Sequence, residues 1–233
     1  MFPHKIILTN DDGIDAIGLK TLVKVITEAG EEAPYVVAPD QPLSGCSHYT
    51  TVDKPIQVTQ RDEHTFVVAG TPADCVRLAI KELFDDTAII ISGINRGGNM
   101  GHDVYLSGTV AAAREATFHR VPAVSISQYV RPELDLDWKG TAHLALRALN
   151  AVKKDKKVLD GFWNINLPHL APGDPEPQIA FCGCCTQPLP VSYKKKDGGY
   201  QYVRSNYHHR TNRAGTDVDV CFRGDIAISR IYL

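Results

Sequence analysis

The chain contains no apolar run near the roughly 20 residues that a membrane-spanning helix needs, so no segment is expected to cross a bilayer. It also lacks an excess of either charge. Its 25 Lys and Arg stand against 27 Asp and Glu, for a net charge of -2. That balance gives no general attraction to a nucleic-acid polymer or a membrane surface. Several catalytic signatures are missing as well. There is no G-x-x-x-x-G-K-[ST] and no G-x-G-x-x-G after a strand, which argues against P-loop NTPases and dinucleotide dehydrogenases. G-x-S-x-G is absent, which argues against a Ser-His-Asp hydrolase. His208 and His209 are adjacent rather than four apart and form no helical metal pair. Cys182-Gly183-Cys184-Cys185 is too tightly spaced for the usual zinc pairs and has no obvious fourth ligand. No internal repeat or low-complexity tract occurs.

What is present is ordinary for a globular protein: 43% hydrophobic and 22% charged residues in a chain long enough for a sizeable core. The N-terminus runs almost directly into an apolar segment, leaving no room for a signal peptide. With six cysteines, this predicts free thiols in a reducing cytoplasm.

The segment Lys5 to Gly13 organises the pattern. Ile6, Ile7 and Leu8 read as a strand buried on both faces, as in a parallel sheet. Leu19, Leu22, Val23 and Ile26 then recur at helical spacing, with Gly30 as a stop. A second strand over 34–39 completes a β-α-β unit. Asp11 and Asp12 therefore stand at the carboxyl end of the first strand, where ligands bind in open α/β sheets. Two readings stand. Adjacent carboxylates can share a hard divalent cation, or Asp12 caps the next helix while Asp11 is solvated in a turn. The loop after the second strand carries Ser44-Gly45 to the same edge.

Segments 56–60 and 65–69 predict a hairpin. Thr71-Pro72-Ala73-Asp74 opens a helix, with Thr71 as N-cap, Pro72 in the first position and Asp74 as a capping carboxylate. The apolar strand 88–91 leads into a glycine-rich stretch, 92–109, read as one long loop. It ends in Ser107-Gly108-Thr109 at the start of a helix, a ready anion site or simply a cap. A strand over 122–127, a helix over 138–152 capped by Asp137, and a strand over 162–167 follow. Beyond Pro168, a hairpin forms around 196–199, and a closing strand spans 226–231. The expected fold is a three-layer, Rossmann-like α/β core with a mainly parallel sheet over 1–168. A hairpin-rich segment, 169–233, completes the sheet and supplies oligomer contacts.

Taken in order, Thr9-Asn10-Asp11-Asp12-Gly13, Val37-Ala38-Pro39 with Ser44-Gly45, Gly70-Thr71-Pro72-Ala73-Asp74-Cys75, Ser92-Gly93-Ile94-Asn95-Arg96-Gly97 and Ser107-Gly108-Thr109-Val110-Ala111-Ala112-Ala113 closely resemble the SurE family of survival-protein nucleotidases. The resemblance implies a metal-dependent hydrolase of nucleoside 5'- and 3'-monophosphates, with short polyphosphate as a further substrate. The alternative is a non-catalytic nucleotide sensor on the same fold. It implies one divalent cation per subunit, Mn²⁺ or Mg²⁺, held by Asp11, Asp12, Ser44 and Asn95. Asp11, Asp12 and Asn95 are the implied catalytic groups, and Asn99, Ser107, Gly108 and Thr109 the phosphate-binding ones. A homodimer or homotetramer is expected. The chain departs from the family at 182–187, which lacks the usual Thr-Arg-rich segment, at Leu106, where tyrosine is usual, and in a shorter C-terminus.

Overall fold

The computed structural model describes residues 5–30, 32–153, 160–189, 191–203, 207 and 210–233. His208 and His209, named above, lie outside the described residues. In chain order the elements are β1 (Lys5–Thr9), α1 (Ile17–Glu28), β2 (Tyr35–Pro39), β3 (Val58–Gln60), β4 (Thr65–Val68), α2 (Pro72–Leu78), β5 (Thr87–Arg96), α3 (Gly108–Phe118), β6 (Ala123–Gln128), α4 (Trp138–Val152), β7 (Gly161–Leu167), β8 (Ile179–Phe181), β9 (Ser192–Lys196), β10 (Gly199–Val203), α5 (Asp217–Phe222) and β11 (Ile226–Tyr232).

One sheet has the order β3-β4-β2-β1-β5-β6-β7-β11-β8. The run from β4 to β7 is parallel throughout, and β3 and β11 join it antiparallel to their neighbours. Strand alternation divides the core into two layers. Ile6, Leu8, Ile91 and Val124 pack towards α1 and α4. Ile7, Ile90, Ala123 and Phe162 pack towards α2 and α3. Two residues beyond that second apolar row, the same face turns polar. Thr9, Ser92, Ser125, Asn164 and Ser229 are aligned across five neighbouring strands, all of them buried.

Local signals read from sequence hold where partners lie within a few residues. Thr71 and Asp74 form both bonds of a capping box, and Asp137 accepts from the N–H groups of Lys139 and Gly140. Asp197 and Gly198 both have positive φ, at 49° and 78°, as a two-residue hairpin turn requires. Two readings change. The helix opened by Thr71 ends at Leu78 and widens into a π turn over Ala79–Leu83. The stretch 92–109 is not one loop. Strand β5 runs on to Arg96, held by the pairing of Asn95 and Arg96 with Ser127 and Gln128, and Gly101–Tyr105 forms a 3₁₀ turn. Glycines disguise the strand because their lack of side chain removes the alternation signal.

Helix α1 lies close over β5 at Gly18. A Cβ there would stand 2.1 Å from the Ile94 carbonyl oxygen and 2.8 Å from the Trp138 ring. Gly18→Ala is expected to cost about 2–3 kcal/mol through overpacking, lowering Tm by roughly 4–12 °C. Gly183→Ala, with nothing near its Cβ position, should leave Tm nearly unchanged in the same thermal scan.

Candidate active site

In the sheet order, β2 and β4 lie on one side of β1 and β5 to β7 on the other. The crevice between β1 and β5 is thus the switch point at which open α/β sheets bind ligands. Both aspartates are delivered there by a tight turn. Asn10 Nδ2 donates to the Gly13 carbonyl at 2.8 Å, and the Ile14 N–H donates to the Pro39 carbonyl at 2.8 Å. Gly13 has φ +92°, and a Cβ on it would press to 3.1 Å against the Gln41 backbone, so glycine is required. Asp12 does not cap the following helix. A turn at 13–16 intervenes, and the α1 N-cap is Ala16, without a side-chain bond. Asp12 Oδ2 instead accepts from the Arg96 N–H at 2.9 Å, tying the end of β1 to the end of β5.

Asp11 is 4% exposed. Thr109 Oγ1 donates to its Oδ1 at 2.6 Å, so the first turn of α3 closes directly onto it. Burial pushes the Asp11 carboxyl up to about 6; the Thr109 hydroxyl opposes this, and the charge of Asp12 adds to it. Burial also raises Asp12, against the pull of Arg96. Gly108 makes the approach possible: a Cβ there would lie 2.7 Å from Cys46 Sγ and 3.0 Å from Asp11 Cβ. Ser107 caps α3, accepting from the Val110 N–H at 3.1 Å. Asn95 Nδ2 donates to the Gly97 carbonyl at 2.8 Å, which leaves its Oδ1 as the atom it can offer. Ser44 is exposed, and its neighbour Leu43 donates its N–H to the Asp11 carbonyl at 2.8 Å.

Asn99 stands apart from this group. Its N–H donates to Asn166 Oδ1 at 2.8 Å, and its carbonyl accepts from Asn164 Nδ2 at 2.8 Å and Asn166 Nδ2 at 3.1 Å. Its own Nδ2 donates to Ser127 Oγ at 2.8 Å. Among the described residues neither Ser44 nor Asn99 is hydrogen-bonded to either aspartate. The segment after Asn99 is held by the C-terminal part of the chain. Asp217 accepts from the N–H groups of Gly101 and Cys185, each at 2.7 Å. Arg210 donates to Asp103 Oδ2 at 2.6 Å and to the Met100 carbonyl at 3.0 Å. Tyr207 donates to the same Asp103 oxygen at 2.8 Å. Sequence reasoning missed the Thr109 bond to Asp11 and the Arg96 bond to Asp12, since no local spacing signals a contact over 98 or 84 residues.

Because the folded carboxyl of Asp11 binds its proton more tightly than an unfolded one, the folded state gains from protonation. Stability from this group is present at low pH and declines as pH rises from about 4 to about 6. In chelator, Asp11→Asn should therefore raise Tm at pH 8 and have little effect at pH 4. Calorimetry at the two pH values checks this; an equal loss of Tm at both would contradict it.

Comparison with known proteins agrees with the architecture. The family described as Survival protein SurE matches residues 6–188. A candidate 5'-nucleotidase from Nostoc sp. is 44% identical over 226 residues, 97% of this chain and 98% of that protein. The 5'-nucleotidase SurE of Xylella fastidiosa is 43% identical over 170 residues, 71% of this chain and 64% of that protein. The crystal structure of the SurE protein from Aquifex aeolicus superimposes with a TM-score of 0.82 at 26% identity, covering 98% of this chain and 93% of that one. With the family match spanning most of its length and a full-length relative above 40% identity, this chain belongs to the SurE family.

Proposed function

We propose that this protein is a divalent-cation-dependent phosphomonoesterase that releases inorganic phosphate from nucleoside 5'- and 3'-monophosphates. The observation that carries the reading is the buried Asp11 carboxylate, beside Asp12 and against the first turn of α3. The enzyme names of the relatives support hydrolysis and disfavour a non-catalytic sensor on the same fold.

The residues fit a hard cation. Burial without full compensation raises both aspartates, which is what an absent positive partner leaves behind. Asn95 Oδ1 and the Ser44 hydroxyl add neutral oxygens, and an all-oxygen set of this kind suits Mn²⁺ or Mg²⁺. Among the described residues no group of three or more His, Cys, Asp or Glu is placed to hold a metal; the assigned set has two carboxylates, an amide and a hydroxyl. When bound, the cation would polarise the phosphoryl oxygens and lower the pKa of the attacking water. The chain supplies the rest. The Gly108 N–H and the positive end of α3 hold phosphoryl oxygens. Thr109 fixes the orientation of Asp11. One of the two aspartates takes the proton of the water. Ser107 completes the phosphate-facing group in this reading, and Asn99 joins it by turning its Nδ2 away from Ser127 Oγ.

The protein is further proposed to be a homodimer or homotetramer. Strands β9 and β10 form a separate two-stranded sheet. Its Tyr193, Tyr200 and Tyr202 are 59%, 72% and 49% exposed, and the register of the pair places all three on one face. A lone hairpin is marginal in water and gains from a partner surface. Six free cysteines support a reducing, cytoplasmic setting.

Purified protein freed of metal should release no phosphate from AMP, and Mn²⁺ or Mg²⁺ should restore release. Asp11→Asn and Asp12→Asn should each cut turnover by about 10²–10³-fold, the scale of losing one fixed charged group from a closed site. Full activity in excess chelator, with metal content measured as nil, would overturn the reading. A chiral, isotopically labelled phosphate ester should give inversion at phosphorus, the outcome of one direct attack by water; net retention would point to a covalent aspartyl intermediate instead.

A further inference from the structure

Helix α3 carries a buried carboxylate of its own. Glu115 lies seven residues after Gly108, two turns along the same face. Its side chain is 2% exposed and takes three donors from three places. Arg77 Nε of α2 donates at 2.6 Å, His48 Nε2 at 2.7 Å and His119 Nε2 at 3.1 Å. A negative charge in the last turns of a helix faces the unfavourable end of its dipole, and a buried carboxylate without partners costs several kcal/mol. Burial pushes Glu115 up, but the hydrogen bonds and charges of His48 and Arg77 bring it down to about 2. It is therefore an acceptor throughout the neutral range, and His48 Nε2 must carry the proton of the shared bond.

Arg77 and His119 come from packed helices or their ends. His48 comes from the segment 43–51, which also holds Ser44. That segment starts at the catalytic edge, with the Leu43 N–H on the Asp11 carbonyl. It then descends the α3 face: Cys46 covers Gly108, and His48 covers Glu115 while stacking on Phe118 with centroids 5.6 Å apart. Ser47 ties it sideways, its N–H to the Leu106 carbonyl at 3.1 Å and its hydroxyl to the Tyr105 carbonyl at 2.7 Å. Beyond His48, Asp74 accepts from the N–H and hydroxyl of Thr51 at 3.0 and 2.8 Å.

We propose that Glu115 is a positioning residue: through His48 it pins segment 43–51 to α3 and so sets where Ser44 stands relative to Asp11 and Asp12. This rests on the reading of Ser44 as a cation ligand. Arg77 and His119 keep the carboxylate in place, whereas His48 passes its position to the loop. The two histidines thus bond the two oxygens of one carboxylate, His48 at Oε2 and His119 at Oε1, and differ in what they hold.

The test compares His48→Ala with His119→Ala in the full chain. His48→Ala should raise the Mn²⁺ concentration for half-maximal phosphate release about 10-fold or more, the usual effect of removing an outer-shell partner, with KM for AMP little changed. His119→Ala should shift it less than about 2-fold. His48→Gln, which keeps an N–H near the Nε2 position, should recover most of the loss. Amide hydrogen exchange, measured without metal or substrate, should rise over 44–50 in His48→Ala and stay at the wild-type level in His119→Ala. If both alanine variants change metal requirement and exchange alike, Glu115 is only a centre of stability and the proposal falls. If wild-type protein shows no metal-dependent phosphate release, the proposed function fails; the exchange data then decide the loop claim alone, and unchanged exchange in His48→Ala overturns it.

Discussion

Keeping a negative charge where water barely reaches it is the condition that the rest of the site serves. Asp11 has one strong donor, the Thr109 hydroxyl, and a second carboxylate for a neighbour. Thr109 can approach only because Gly108 has no side chain. The turn that delivers Asp11 closes only because Gly13 tolerates a positive φ and Asn10 bridges it. These residues together hold one carboxylate where burial disfavours its charge, so the local cost falls on Asp11 itself.

The C-terminal part of the chain is structurally bound to this edge. Strand β11 pairs with β7 inside the main sheet. Asp217, Arg210 and Tyr207 hydrogen-bond to the segment that follows Asn99. The segment between Gly97 and Ser107 is therefore held by Asn164 and Asn166 at Asn99 and by the C-terminal residues over 100–103. Its glycines give it the conformations it needs, and these bonds remove the freedom that glycines would otherwise leave.

The fold was largely readable from sequence because its main signals are local. Ile6 to Leu8, the α1 stripe, the Thr71 capping box and the Asp137 cap each place partner and signal within a turn or a strand. The pair Asp11-Asp12 stands out as a candidate site for similar reasons, being two adjacent carboxylates at a strand end. The unread portions depend on distant partners. Strand β8 is three residues long and exists by pairing with β11. The six-residue α5 has no side-chain cap. Asp12 looks like a helix cap in sequence, and only the arrival of β5 beside β1 gives it the Arg96 N–H. Glu115 reads as one more good helix former, and its burial follows from packing against α2 and the loop at 48.

The aligned row Thr9, Ser92, Ser125, Asn164 and Ser229 has a consequence for how the sheet finds its order. Each of these strands is otherwise apolar enough on both faces to accept a neighbour displaced by one residue. Such a displacement of β6 would carry Ser125 and Ser127 to the α1 and α4 side, among Leu8, Ile91 and Ile165, with no acceptor there to meet them. In the native alignment Ser125 Oγ meets Asn164 Oδ1 at 2.8 Å and Ser127 Oγ meets Asn99. These two pairs act as index marks, penalising the one-residue offset of β6 that its aliphatic neighbours would tolerate, and they lie just below the edge that carries Asp11, Asp12 and Asn95.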